Sequence, residues 1–100
     1  MSSIRKHARA ESDLIEIWLY TYEQWGEVHA ERYFDELEQG INQLEHHPEL
    51  GRRCDHIRHG YRSLRINRHV AYYTVKSSVV YVVRVLHEKM DPDGQFSDAP

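Results

Sequence analysis

The sequence predicts an α+β domain, an N-terminal α-helical hairpin packed on a small antiparallel β-sheet. Three observations predict it. Apolar residues recur at helical spacing from Leu14 to Leu44. After Gly51 the texture changes to β-branched and aromatic residues. The 100 residues, 40% of them hydrophobic, suffice for one core and not for two. Residues 1–100 therefore read as a single domain, with about 92–100 as a loose tail apart from an anchor at Phe96.

Each element has its own signal. Ile4 to His7 reads as a short first strand. In the first helix Leu14, Ile17, Trp18, Tyr22 and Trp25 share a face, and Gly26 supplies the residue after its end. In the second, Ala30, Phe34, Leu37, Ile41 and Leu44 repeat at 4, 3, 4, 3, a seam suited to a neighbouring helix. Pro48 and Gly51 end it. Gly40 inside that helix costs roughly 1 kcal/mol against alanine, which a close helix contact or simple tolerance accounts for equally. Three strands follow, "YRSLRIN" (61–67), "HVAYYTV" (69–75) and "VVYVVRVLH" (79–87). Their short links make them antiparallel neighbours. By alternation Val80, Val82, Arg84 and Leu86 share one face of the last strand, and Tyr81, Val83, Val85 and His87 the other. Both faces are apolar, so that strand is central or doubly covered.

Composition narrows the function classes. The single cysteine, Cys54, rules out an internal disulfide and points to a reducing compartment. No apolar run approaches membrane-spanning length, and the start "MSSIRKHARAESD" lacks the apolar stretch of a secretory signal. The expectation is a cytoplasmic protein. Its net charge of −3 is divided: residues 1–50 hold 4 Lys/Arg against 11 Asp/Glu, and residues 51–100 hold 9 against 5. A basic second half invites an anionic or acidic partner, or simply balances the acidic helices.

Eight histidines raise the question of a metal. Cys54, His56 and His59 cluster, but with no recognised zinc spacing and with Arg52, Arg53 and Arg58 opposing a cation. Exposed loop histidines are the better account, and neither metal nor cofactor is expected. No serine or cysteine stands in a nucleophile motif, and five scattered glycines make no phosphate loop. What remains is cationic: Arg62, Arg65, Arg68 and His69 on or between two strands, and Arg84, His87 and Lys89 on the last strand and its exit. Interleaved with Tyr61, Tyr72 and Tyr73, they suit a nucleic-acid backbone or an acidic protein segment if the meander gathers them. The tyrosines read better as core. Arg84, inside the most apolar strand, must be paired or reach water.

The motifs "HPELGRRC", "IRHGYRSL", "RHVAYYTV" and "VVRVLHEKMD", in this order and spacing, resemble the ParE toxins of bacterial type II toxin–antitoxin modules, within the wider RelE/ParE group. "AESDLIEIWLYTYEQWG" and "AERYFDELEQGINQL" are similar to that family's helical hairpin, so the likeness spans about residues 4–91. It implies a non-enzymatic toxin that poisons DNA gyrase and forms a hetero-oligomer with a neutralising ParD-like antitoxin, without sequence-specific nucleic-acid binding. On that reading Arg62, Arg65, Arg68, His69, Arg84, His87 and Lys89 are candidates for the target surface. Trp18, Tyr22 and Trp25, unless they pack inside, are candidates for the antitoxin surface. The alternative is a ribosome-dependent mRNA endoribonuclease of RelE type. The tyrosine such relatives carry near the C-terminus is absent from "LHEKMDPDGQF".

Overall fold

The computed structural model of the chain describes residues 3–96. The elements are β1 (Ser3–Lys6), α1 (Ala8–Trp25), α2 (Glu27–Asn42), β2 (Arg52–Arg53), β3 (Tyr61–Ile66), β4 (His69–Lys76), β5 (Val79–His87) and α3 (Pro92–Phe96). The helices form the expected hairpin, joined by Gly26 alone. At φ 93° it occupies backbone space that favours glycine, and its N–H closes α1 on the Tyr22 carbonyl at 2.8 Å. Among the described residues no helix is long and apolar enough to cross a membrane.

The sheet runs β1-β5-β4-β3-β2. The meander β3–β4–β5 is antiparallel, as its short links require. Between β4 and β5 both turn residues, Ser77 and Ser78, have positive φ, the geometry that matches the twist of a two-residue hairpin. The first strand makes the sheet mixed: β1 pairs parallel with β5, Ile4 opposite Val80, with the helical hairpin as part of the crossover. β5 is thus an interior strand, which explains its two apolar faces.

One expectation fails at a β-bulge. Tyr72 lies opposite Arg84 but Tyr73 lies opposite Val82, so Val83 is an extra residue and the alternation slips. Val80, Val82 and Val85 enter the main core under the helices, with Leu14, Leu37, Ile41, Ala71 and Tyr73. Val83 and Leu86 join a smaller cluster on the opposite face, with Cys54, Tyr72 and Phe96. Strict period-2 reading placed Leu86 with Val82; the bulge separates them.

Gly40 is explained by close approach. A Cβ there would stand 2.6–2.9 Å from three carbons of Ile66, so α2 lies against β3 too tightly for alanine. The tail is anchored as expected at Phe96, which is buried edge-on against Tyr61 and Tyr72. Residues 92–96 form a short helix, and the remainder of the tail lies outside the described residues.

Candidate partner-binding surfaces

The seven predicted target-surface residues divide into three places. Arg84 is buried, 8% exposed, along the edge of β5 that β1 abandons after Lys6. Asp13 of α1 fills that edge. Its carboxylate accepts from Arg84 Nε at 2.8 Å and Nη2 at 2.9 Å, and from the backbone N–H of Val85 at 2.9 Å. One aspartate therefore supplies both a counter-ion and the acceptor a further strand would have offered. The need for a partner at Arg84 is met inside the fold; it is not among the charges at the strand exit.

Arg62 also stands apart. Its Nη1 donates to the carbonyls of Gly51 at 2.8 Å and Glu49 at 3.3 Å, fixing the loop before β2.

The remaining five gather where the β3–β4 turn meets the exit of β5. The Glu88 N–H donates to the Arg68 carbonyl at 2.8 Å, tying the two segments together. The Glu88 carboxylate pairs with Arg65 and lies 3.9 Å from Arg68 Nη1. Both arginines keep most of their surface in water, Arg68 being 74% exposed, and Lys89 is exposed beside them. His69 and His87 face each other across β4 and β5 in register, rings edge to face with centroids 5.2 Å apart.

His69 is held neutral. Tyr33 Oη of α2 accepts from the Arg68 backbone N–H at 3.2 Å and shares a hydrogen bond with His69 Nδ1, 2.6 Å away. His87 Nδ1 accepts from the Lys89 N–H at 3.2 Å. Burial, reinforced by neighbouring His87, pulls the His69 pKa from 6.5 down to about 4 despite Glu88. Burial likewise raises Tyr33. The patch is cationic through Arg65, Arg68 and Lys89, with Glu88 in its middle. It borders a cleft of about 860 Å³ between the hairpin and the sheet, whose walls include Tyr20, Trp25, Tyr33, Arg68, His87 and Met90.

The predicted antitoxin residues sit on α1. Trp18 is half-buried and stacks on Tyr22 with centroids 5.2 Å apart. Tyr22 is exposed, and Trp25 is 66% exposed at the end of the hairpin. They are not packed inside. Ile15, Leu19, Tyr20 and Val28 are exposed around them.

Sequence reading missed Asp13, Tyr33 and Glu88. None carries a local signal, because their partners lie 71, 36 and 23 residues away. The wider apolar surface of α1 did carry one. Leu14, Ile15, Ile17, Trp18, Leu19 and Tyr20 wrap the whole helix, and a two-layer domain can cover only one side of it.

Comparison with known proteins places these features in a wider set. A family model described as "ParE toxin of type II toxin-antitoxin system, parDE" matches residues 4–92. The chain is 45% identical over 85 residues to "Toxin ParE1" of Mycobacterium tuberculosis, covering 84% of this chain and 87% of that protein. It is 36% identical over 91 residues to "Toxin ParE1" of Caulobacter vibrioides, covering 91% and 94%. A solved structure described as "Chromosomal ParDE TA system from P. aeruginosa" shares its fold, with a TM-score of 0.78 at 19% identity over 87% of this chain and 96% of that one.

Proposed function

The chain belongs to the ParE toxin family of type II toxin–antitoxin systems, and from that premise we propose that it arrests growth in the cytoplasm by binding and inhibiting DNA gyrase. The observation that carries the reading is the exposed cationic group Arg65, Arg68 and Lys89 beside the cleft, its two arginines held by Glu88. It is an arrangement for contact rather than for catalysis. The cations are exposed to solvent, and the half-buried dyad Tyr33–His69 is held in a neutral hydrogen bond. Arg62 and Arg84 act in this reading as supports, fixing the β2 loop and the β5 edge beneath that surface. A ParD-type antitoxin neutralises the toxin by covering half-buried Trp18 and exposed Tyr22 and Trp25, whose rings offer apolar area to an incoming segment. The neutralised form is a hetero-oligomer of the two.

Supercoiling assays test the proposal. Purified protein should inhibit gyrase or trap cleaved DNA, and the antitoxin from a neighbouring reading frame should reverse it. Gyrase unaffected over a wide range of toxin concentration would remove the target assignment.

A second reading, an mRNA endoribonuclease of RelE type, is favoured by one feature: His87 and the Tyr33–His69 pair lie beside Arg68 in the same cleft. It predicts cleaved transcripts soon after induction. Intact transcripts during growth arrest would exclude it.

A further inference from the structure

On the outer side of the hairpin, away from the sheet, α1 and α2 form a groove of about 380 Å³ lined by Ile15, Trp18, Leu19, Glu31, Phe34 and Asp35. Its floor is apolar and its α2 wall is acidic. The surrounding helical positions extend the same sign. Glu11 and Glu23 lie one turn before Ile15 and one turn after Leu19, and Glu27 lies one turn before Glu31. All five carboxylates, Glu11, Glu23, Glu27, Glu31 and Asp35, are exposed, and none pairs with a cation among the described residues. Arg32, the hairpin's mid-α2 cation, lines the inner cleft instead.

Such a surface selects its occupant by charge. The apolar floor of Ile15, Trp18, Leu19 and Phe34, continued by exposed Tyr22 stacked on Trp18, runs about two turns of α1 and accepts the apolar stripe of a helix. Unpaired acids along the α2 wall and beyond both ends of the floor then favour lysines and arginines bordering that stripe and repel glutamates. A second copy of this chain is a poor occupant, because the same acids would face one another across the two-fold axis. We propose that the outer groove is a docking site for an amphipathic helix of a partner protein whose apolar stripe is flanked by Lys and Arg. The proposal rests on the reading of the hairpin as a docking face and adds the chemistry of what docks there. It also separates two surfaces: Trp18 belongs to this groove, whereas Trp25 lines the inner cleft.

The groove reports on itself. Trp18 and Trp25 are the chain's two tryptophans, so Trp25→Phe leaves Trp18 as the single fluorophore. Three synthetic peptides of about 14 residues, four helical turns, are titrated into this variant. One has a Leu/Ile stripe flanked by Lys/Arg, one the same stripe flanked by Glu, and one is a scramble of the first. The Lys/Arg amphipathic peptide should shift Trp18 emission and bind roughly tenfold or more tighter than the others, several rim charge pairs each contributing a modest factor. Added salt should reduce the difference. Glu31→Lys with Asp35→Lys should reverse the preference, and Leu19→Asp should abolish binding while leaving the thermal transition in place. Equal binding of the Lys/Arg and Glu peptides, or of the scramble, overturns the proposal, as does no Trp18 response to the first peptide up to about 1 mM. So does sedimentation showing a dimer of the chain that Leu19→Asp dissociates. If the cognate antitoxin binds Leu19→Asp unchanged while the peptide does not, the groove's chemistry stands. The assignment of the antitoxin to Trp18 then fails instead.

Discussion

Arg84 and Asp13, 71 residues apart in the chain, meet fork to carboxylate at 2.8 and 2.9 Å, and the same carboxylate holds the Val85 N–H. The contact joins α1 to the unpaired edge of β5, and both side chains are nearly buried. Breaking one side leaves the other charge stranded. Asp13→Ala should therefore cost about 3–5 kcal/mol in urea denaturation. Asp13→Leu with Arg84→Met should recover most of that loss but not all, because the Val85 N–H is still left without its acceptor, at about 1–3 kcal/mol. A double variant no more stable than Asp13→Ala would show that the pair is not the source of the loss.

The neutral His69 makes stability depend on acidity. Its pKa is about 4 in the fold, below the 6.5 of an unfolded chain. Between those values the unfolded state binds more protons, so stability is complete above about pH 6.5 and falls as pH drops toward 4. The whole shift is equivalent to about 3 kcal/mol; His69 is only half-buried, and solvent screening reduces this to roughly 1–2 kcal/mol. His69→Gln should flatten the dependence across that window. Thermal melts at several pH values, in parent and variant, check it; parallel curves would place the proton uptake elsewhere.

Tyr73 and Gly51 should fail together. The fully buried Tyr73 hydroxyl accepts from the Gly51 N–H at 2.8 Å and donates to the Pro48 carbonyl at 2.7 Å. Tyr73→Phe strands both groups and should cost about 1–3 kcal/mol. Gly51→Ala would push its Cβ to 2.6 Å from that hydroxyl and 2.8 Å from the Ser63 carbonyl, and the backbone cannot yield cheaply. It should cost at least as much. Because both changes break one junction, their combination should be clearly less than additive, which chemical denaturation of the three variants measures.

The cationic group should be separable from the fold. Arg65→Glu with Arg68→Glu alters exposed side chains, so the melting temperature should move little beyond the loss of the Glu88 contacts, at most about 1 kcal/mol each. Gyrase inhibition should fall tenfold or more, because reversed rim charges oppose encounter with the target. Normal inhibition by a folded double variant would direct attention to the apolar wall of the cleft.

Arg84→Ala separates support from contact. A variant that is destabilised, yet inhibits gyrase when assayed well below its transition, fits the buried role. One that melts like the parent and has lost inhibition would return Arg84 to the target surface.

By itself the sequence determined the elements and their order. The 4, 3, 4, 3 spacing from Ala30 to Leu44, the turn at Gly26 and the β-branched runs after Gly51 are local properties, and local sterics and solvation enforce them. It also determined that Arg84 had to be paired or reach water, because a charge in an apolar strand admits no third outcome. Only the tertiary structure decided who that partner was. Asp13 is opposite Arg84 because β1 stops at Lys6 and opens the edge of β5 to α1. The bulge at Val83 reversed the faces of Val85 and Leu86, a slip set by pairing with β4 rather than by either strand's composition. The sorting of the cations was decided the same way: Arg65, Arg68 and Lys89 converge because turn and strand exit meet, while Arg62 is taken up by two carbonyls. Spacing along a chain fixes which side of an element a residue occupies, but long-range contacts fix what lies on that side.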